Sequence, residues 1–338
     1  MNNIVVSVVM PIYNEEKYIV NCIESLLTQD YPKDKMEWIF VDGKSSDNTL
    51  VLIEEYMKKY PELIAVCINE KRITPISMNI GIRNSKGEYI IRLDAHADYA
   101  RDYISKCVEY LRLTKADNVG GLAETKSVGF VGNVIAKLLS NRFGVGNSQF
   151  RIKGKSGYVD TVPFGAFRRE VFKKYGGFDE RLVRNQDNEM NYRIRKNGGK
   201  IYLSENIHFS YYCRDTISGL ISYGMNNGKW NIITSKLCPG TMGLRHFVPL
   251  IFVLSLIGSL LFGSLFPILI NVLSIELLLY FSLSLYFAVK NVSSFDEIPL
   301  LVCLFPVFHV SYGIGSLGGL LNLIMGKYRL GDYTPPII

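Results

Sequence analysis

GEYIIRLDAHADY, Gly87 to Tyr99, decides how this chain is to be read: an apolar run from Tyr89 to Leu93 breaks off at Asp94-Ala95-His96, with Asp98 two residues on. The run predicts a buried strand, and alternate residues of an extended segment share a face, so Asp94 and His96 are expected to point the same way from its end. A carboxylate and an imidazole so placed suit a divalent cation. The carboxylate favours magnesium or manganese, and the imidazole is compatible with manganese or a softer metal. An isolated D-x-H is explained equally well by a capped turn after a strand, and the flanking sequence has to decide between the two.

Upstream, VVSVVMPIY (5–13) is the β-branched run expected of a strand buried on both faces. Asn14, Glu15 and Glu16 then open a helix to about Gln29, with Ile19, Cys22, Ile23, Leu26 and Leu27 at helical spacing. A second strand, EWIFVD (37–42), ends in a polar turn, Gly43 to Ser46, and Asp47 is placed to cap a helix through Tyr60. A third strand (63–69) and a short helix (76–85) lead into the opening stretch. This alternation predicts an α/β fold with a mostly parallel sheet and helices on both faces. Ligands of such sheets collect at the carboxyl ends of the strands, where Tyr13, Asn14, Glu15, Asp42, Asp94 and His96 all fall, with Arg72 just past the third strand. Neither G-x-G-x-x-G nor a Walker A lysine loop is present. Acidic strand ends suit ribose hydroxyls, a base edge and a metal-bridged diphosphate instead, and Arg72 is a candidate contact for base or phosphates.

Downstream, a helix over 101–114 is followed by a stretch rich in Gly, Asn, Ser and Lys (126–157) that reads as loops around one helix at 130–140. In RNQDNEMNYRIRKNGG (184–199), Asp187 and Glu189 open a helix with a basic last turn that stops at Gly198-Gly199. Either acid can stabilise the helix N-terminus, or can accept a proton from a hydroxyl within hydrogen-bond reach.

Charge and hydropathy divide the chain. Formal net charge is +7; the segment 246–326 contributes −2 and the tail 327–338 contributes +1, which leaves +8 on the first 245 residues. A basic domain joined to an apolar one fits an anionic membrane surface or phosphate-bearing substrates, and the absence of any basic run argues against nucleic acid. Residues 246–270, 271–289 and 298–325 are apolar stretches near or above the roughly 20 residues of a spanning helix. Pro249, Pro267 and Pro306, with Gly313, Gly315, Gly318 and Gly319, predict kinks, close helix packing or a re-entrant piece, and the first two stretches imply a tight hairpin near 267–271. The organisation expected is therefore a catalytic domain (1–245), a membrane domain of about three apolar helices (246–326) and a short tail (327–338). Three spans would put the basic tail on the far side, against the usual bias. Six dispersed cysteines fit a reduced compartment, and the apolar run at 4–10 reads as a strand rather than a signal peptide.

Three motifs carry a family resemblance. VVMPIYNEEKYI (8–19) resembles the opening of family 2 glycosyltransferases, FVDGKSSDNT (40–49) their V-D-D-G-S-x-D-x-T segment, and GEYIIRLDAHAD (87–98) their G-E-Y-I-x-x-L-D-x-D. Gly43 stands where many members have a second Asp, and His96 replaces the last Asp of D-x-D. The D-A-H-A variant, and YYCRDTISGLISYGMNNGKWN (211–231), resemble the succinoglycan-type exopolysaccharide glycosyltransferases of bacteria. The segment around Asp187 is similar to the acceptor-side E-D-x-x-L-x-x-R, with Gln186 for the first Glu.

The resemblance implies a GT-A-like domain followed by transmembrane helices, multi-pass in the inner cell membrane with the catalytic domain cytoplasmic. It implies an inverting, metal-dependent transfer of a hexose from a nucleotide sugar, with UDP-glucose or UDP-galactose as leading donors, to a polyprenyl-linked or polysaccharide acceptor. The residues carried over are Pro11, Tyr13, Asn14, Glu15, Asp42, Arg72, Asp94 and Lys229 for the donor, Asp94 and His96 for Mg2+ or Mn2+, and Asp187 as base with Glu189 as the alternative. Trp230 would line the acceptor or the membrane boundary. The competing class is a membrane scaffold or transporter with a degenerate nucleotide fold, against which the intact Asp42, Asp94 and Asp187 argue.

Overall fold

The computed structural model describes residues 4–152, 154–328 and 333–338. The chain packs as two compact units interleaved along the sequence: 1–124, 153–211 and 332–338 form the first, 125–152 and 212–331 the second.

The first unit begins with β1 (Val6–Ile12), α1 (Ile19–Leu27), β2 (Met36–Asp42), α2 (Thr49–Lys59), β3 (Ile64–Ile68), α3 (Thr74–Asn84) and β4 (Tyr89–Arg92). These four strands are parallel, in the order β3-β2-β1-β4, with Ile12 level with Asp42 and Val9 with Arg92. Val6, Val8, Val9 and Met10 of β1 are buried with both neighbours, which is why the run has no polar alternation. Pro11 lies beyond the last β1 residue paired with β4, so its missing N–H removes no rung of that ladder. Past β4 the sheet turns antiparallel. β5 (Ala97–Tyr99), α4 (Tyr103–Thr114) and β6 (Asn118–Lys126) are followed by β7 (Gly157–Tyr158), β8 (Ala166–Arg168), α7 (Arg169–Tyr175), α8 (Gln186–Lys196) and β9 (Ile201–Tyr212). The order continues β4-β8-β6-β9-β5, with β7 on β9.

Between β6 and β7 the chain leaves for the second unit, contributing α5 (Gly129–Leu139) and the short α6 (Arg142–Val145). The rest of that unit is α9 (Ile217–Leu237), α10 (Val248–Phe262), α11 (Ile268–Asn291) and α12 (Glu297–Ile324). Its core joins Val134, Ile135, Leu138 and Leu139 of α5 to Leu220, Ala288, Leu301, Leu304, Phe305 and Phe308. At its edge Lys137 pairs with Glu297, the first residue of α12. Helices α11 and α12 are long and apolar enough to cross a membrane by length and composition, whereas α10, at 15 residues, is shorter than the expected first span.

Candidate active site

Tight backbone turns bring the β1 and β2 ends together. Asn14 adopts a left-handed conformation (φ 55°), which lets its side-chain oxygen accept from Ser46 N at 2.8 Å while its own N–H donates to Ser45 Oγ at 2.9 Å. Asp42 is buried at the end of β2 and accepts from Ser45 N (3.0 Å) and Ser45 Oγ (2.6 Å). Its carboxylate is thus held by the turn that follows it. Asp47, expected to cap α2, lies one residue before its N-cap, Asn48; it accepts from Thr49 N (3.1 Å) and also from Glu16 N (3.2 Å), tying the two loops together. The ring of Tyr13 is exposed, and the guanidinium of Arg72, itself at φ 56°, lies over it at 5.3 Å. A planar cation on an exposed aromatic face is a surface for a flat ring or a phosphate.

At the end of β4 the chain does not stay extended. Ala95 and His96 form a turn between β4 and β5, so alternation along a strand does not set the directions of Asp94 and His96. The turn is fixed by Tyr99, whose buried hydroxyl accepts from Asp94 N (2.8 Å) and donates to Asp94 O (3.2 Å). His96 Nδ1 lies 3.1 Å from Glu15 Oε1, which joins the β4 turn to the β1 loop.

One residue the sequence reading passed over organises this group. Arg92, fully buried in β4, donates through Nη1 to both oxygens of Asp187 (2.5 and 2.6 Å) and through Nη2 to Asp94 Oδ1 (3.3 Å), with Phe164 under its guanidinium at 5.5 Å. Burial alone works against its charge, but Asp187 and then Asp94 outweigh it and hold the guanidinium above the ordinary arginine range. The signal was present in the sequence as a cation inside the apolar run YIIRL.

Asp187 and Glu189, treated together on the sequence, are separated by the helix. Two residues along α8 is a rotation of about 200°, and Glu189 is buried in a pair with Arg193 (2.6 and 2.8 Å). Arg193 in turn donates to the carbonyls of Tyr175 and Gly177. Asp187 joins the Arg92–Asp94 group, and Glu189 braces the loop before α8. Lys229 belongs to the second unit, on α9, where its backbone packs against Gly319 of α12. Trp230 is buried there beside Tyr328.

The strand ends are electrostatically acidic. The buried Cys22 thiol below them is pushed up to about 12, by burial first and then by the carboxylates of Glu15, Asp94 and Asp98, so it is no nucleophile. Among the described residues no three His, Cys, Asp or Glu side chains converge as a ready-made metal cage.

A parallel β-sheet that turns antiparallel after the D-x-H turn, with acidic strand ends and a further carboxylate on a following helix, defines a GT-A-like glycosyltransferase fold. Residues 7–176 match the domain Glycosyl transferase family 2, and the chain belongs to that family. It is 34% identical over 321 residues to a dolichyl N-acetyl-α-D-glucosaminyl phosphate 3-β-D-2,3-diacetamido-2,3-dideoxy-β-D-glucuronosyltransferase of Methanococcus voltae, covering 91% of this chain and 95% of that one. It is 28% identical over 260 residues to the succinoglycan biosynthesis protein ExoA of Rhizobium meliloti (strain 1021), covering 75% and 77%. In fold it is similar to the mannosyltransferase PcManGT from Pyrobaculum calidifontis, solved with GDP-Man and Mn2+ (TM-score 0.59, 17% identity, 96% of this chain and 88% of that one).

Proposed function

We propose that this family 2 glycosyltransferase transfers a hexose-type sugar from a nucleotide sugar, a UDP-sugar by preference, to a lipid-linked or polysaccharide acceptor at a membrane, with inversion. The observation that carries the reading is the Asp94–Arg92–Asp187 group, which links the carboxylate at the donor-side strand end to one on an acceptor-side helix through a single buried cation. Pro11, Tyr13, Asn14, Glu15, Asp42 and Arg72 line the donor side, Asp42 serving ribose hydroxyls and the Tyr13–Arg72 stack the base or phosphates. Asp187, 28% exposed at its side chain, keeps lone pairs beyond those engaged by Arg92 and accepts the proton of the attacking hydroxyl. Glu189 shapes the loop rather than reacting. The relatives named above act on a dolichyl phosphate-linked sugar and in succinoglycan biosynthesis, and the apolar helices of this chain suit the same setting. Residues 1–245 are read as the catalytic region, cytoplasmic in orientation, 246–326 as the region that carries the membrane attachment and 327–338 as the tail.

A diphosphate does not settle on acidic strand ends without a cation, and the residues fit one. Asp94 is a hard oxygen donor and His96 suits Mn2+, and these two residues would hold such an ion. When bound there it supplies charge neutralisation of the leaving diphosphate.

Asp187→Asn keeps shape but cannot take a proton. Its transfer rate, followed as UDP release from donor sugars in membranes with lipid acceptor, is expected to fall by about 10² to 10⁴, with UDP binding as in the parent. Parent-level transfer by Asp187→Asn together with a dead Glu189→Gln would assign the base to the other carboxylate.

A further inference from the structure

Three observations within the two units fix how the apolar helices can meet a bilayer, taking as given the membrane association proposed above. The first is the tail. After α12, residues 333–338 lie on the first unit: Gly177 N donates to Pro336 O (2.6 Å), Glu180 N to Tyr333 Oη (3.1 Å), and Arg181 covers the Tyr333 ring at 4.4 Å. The chain therefore returns to the side on which it started, and three crossings, or any odd number, are excluded.

The second is the coat on α12. Gly224 and Gly228 of α9 and Gly315 and Gly319 of α12 form two G-x-x-x-G faces in backbone contact; a Cβ at Gly228 would collide with Tyr312 O, and one at Gly315 with Met225 O. The outer face of α9 carries exposed Ser218, Ser222, Asn226 and Lys236. Hydrocarbon around this stretch of α12 would have to take in those groups as well. Toward its N-terminus α12 is covered by α5 and α11. It is a core helix of its unit, with far more of its length buried than α11.

The third is the pair left bare. α10 and the first two-thirds of α11 expose a largely apolar surface, interrupted by Ser264, Asn271, Ser274 and Ser282 but by no exposed charge; the turn between them carries Leu265 (70% exposed) and Phe266 (58%), and Ile268 (65%) opens α11. From Phe247 to Val289 the one charged residue is Glu276, which accepts from Ser255 Oγ at 2.6 Å across the hairpin. Charges gather at the base, Arg245 before α10 and exposed Lys290 at the end of α11. A base of cations below an uncharged tip matches headgroups below hydrocarbon. Fifteen residues of α10 reach about 22 Å, short of the roughly 30 Å hydrocarbon core, and a turn that emerged into water on the far side would not present Leu265 and Phe266 to it.

We infer that α10 and α11 form a re-entrant hairpin that enters the bilayer and returns on the catalytic side, its occupant the acyl chains and not a second copy of the chain or a soluble partner. The test is labelling by membrane-impermeant maleimide of full-length Ser264→Cys, at the tip, and Asn291→Cys, at the base, in inverted vesicles and in intact spheroplasts of a bacterial host, against the parent with its native cysteines as background. Asn291→Cys is expected to react from the catalytic side. Ser264→Cys is expected to react from neither side until detergent is added, and its bimane adduct to be quenched by lipids with nitroxides deep in the chain. Reaction of Ser264→Cys from the far side means two crossings and overturns the hairpin while leaving membrane association standing. Reaction from the catalytic side without detergent, or protection that persists in detergent as a second copy would give, overturns the bilayer as occupant. Glycosyl transfer is not the readout, so the donor and acceptor reading neither helps nor harms the result.

Discussion

Arg92 binds two carboxylates with one buried guanidinium, and it is the residue on which the site's geometry depends most. Removing one partner of a buried ion pair typically costs about 3–5 kcal/mol; partial exposure of Asp187 (28%) and Asp94 (17%) puts Arg92→Met at or below the lower end of that range. Arg92→Lys is the sharper variant, because it keeps the charge and loses the fork whose Nη1 meets Asp187 and whose Nη2 meets Asp94. The expected outcome is a folded enzyme with a kcat lowered at least tenfold and donor KM within a factor of a few of the parent; an unchanged kcat would reduce Arg92 to a buried counter-ion. Asp94→Ala is the complementary change on the donor side. It should abolish the part of UDP affinity that depends on Mn2+ or Mg2+, read by calorimetry with and without the metal, while His96→Asp should retain it with a changed metal preference. Metal-dependent binding that survives in Asp94→Ala would remove Asp94 from the ligand set.

At the scale of elements, the loop from Gly176 to Asn185 delivers α8, and with it Asp187, to the sheet. Three segments hold it: Arg193 from α8 itself, Asn79 of α3, whose amide donates to Phe178 O (2.9 Å) and accepts from Phe178 N (2.8 Å), and the tail at Tyr333 and Pro336. A Cβ at Gly177 would meet the end of the Ile338 side chain and the Asn79 amide that binds Phe178, so a larger residue there would have to displace both. Ending the chain before Tyr333 removes one backbone hydrogen bond, one from a backbone N–H to the Tyr333 hydroxyl, a cation–π contact and the cover of Ile338. The loss is expected at about 1–3 kcal/mol, seen as a lower midpoint in thermal unfolding of the detergent-solubilised enzyme, with transfer falling more than UDP binding. Equal midpoints for the two proteins would mean that the tail lies on the loop without supporting it.

For the molecule as a whole, membrane retention follows from the bare apolar surface of α10 and α11. The chain should stay in the membrane fraction after alkaline carbonate, and the pair Leu265→Asp with Phe266→Asp at the hairpin tip should release it, because two carboxylates there cannot stay in hydrocarbon. Stopping the chain at Arg245 is a poorer test: it strips α12 from Gly224 and Gly228 of α9 and from the apolar face of α5, and would fail by misfolding. Release of the parent by carbonate would refute integral association, and any retention at low salt alone would point to the basic surface instead.

The sequence by itself determined the parallel half of the sheet, because strands buried on both faces are written as unbroken apolar runs, and their ends as the polar turns at Tyr13-Asn14-Glu15, Asp42 and Asp94. It also determined the helix carrying Asp187, through an acidic first turn, a basic last turn and paired glycines. What it left open are relations between residues far apart along the chain. Arg92 was legible as a cation in an apolar run but not as the partner of Asp187, since that pair spans 95 positions. Asp187 and Glu189 read alike in a line and diverge only because a helix turns them to different neighbours. The passage of residues 125–152 into the apolar unit left no mark of its own, because the apolar face of α5 looks the same whether it covers a sheet or α12. Three apolar stretches read as three spans for the same reason: hydropathy records that a helix avoids water, and only tertiary packing decides whether lipid or protein takes the water's place.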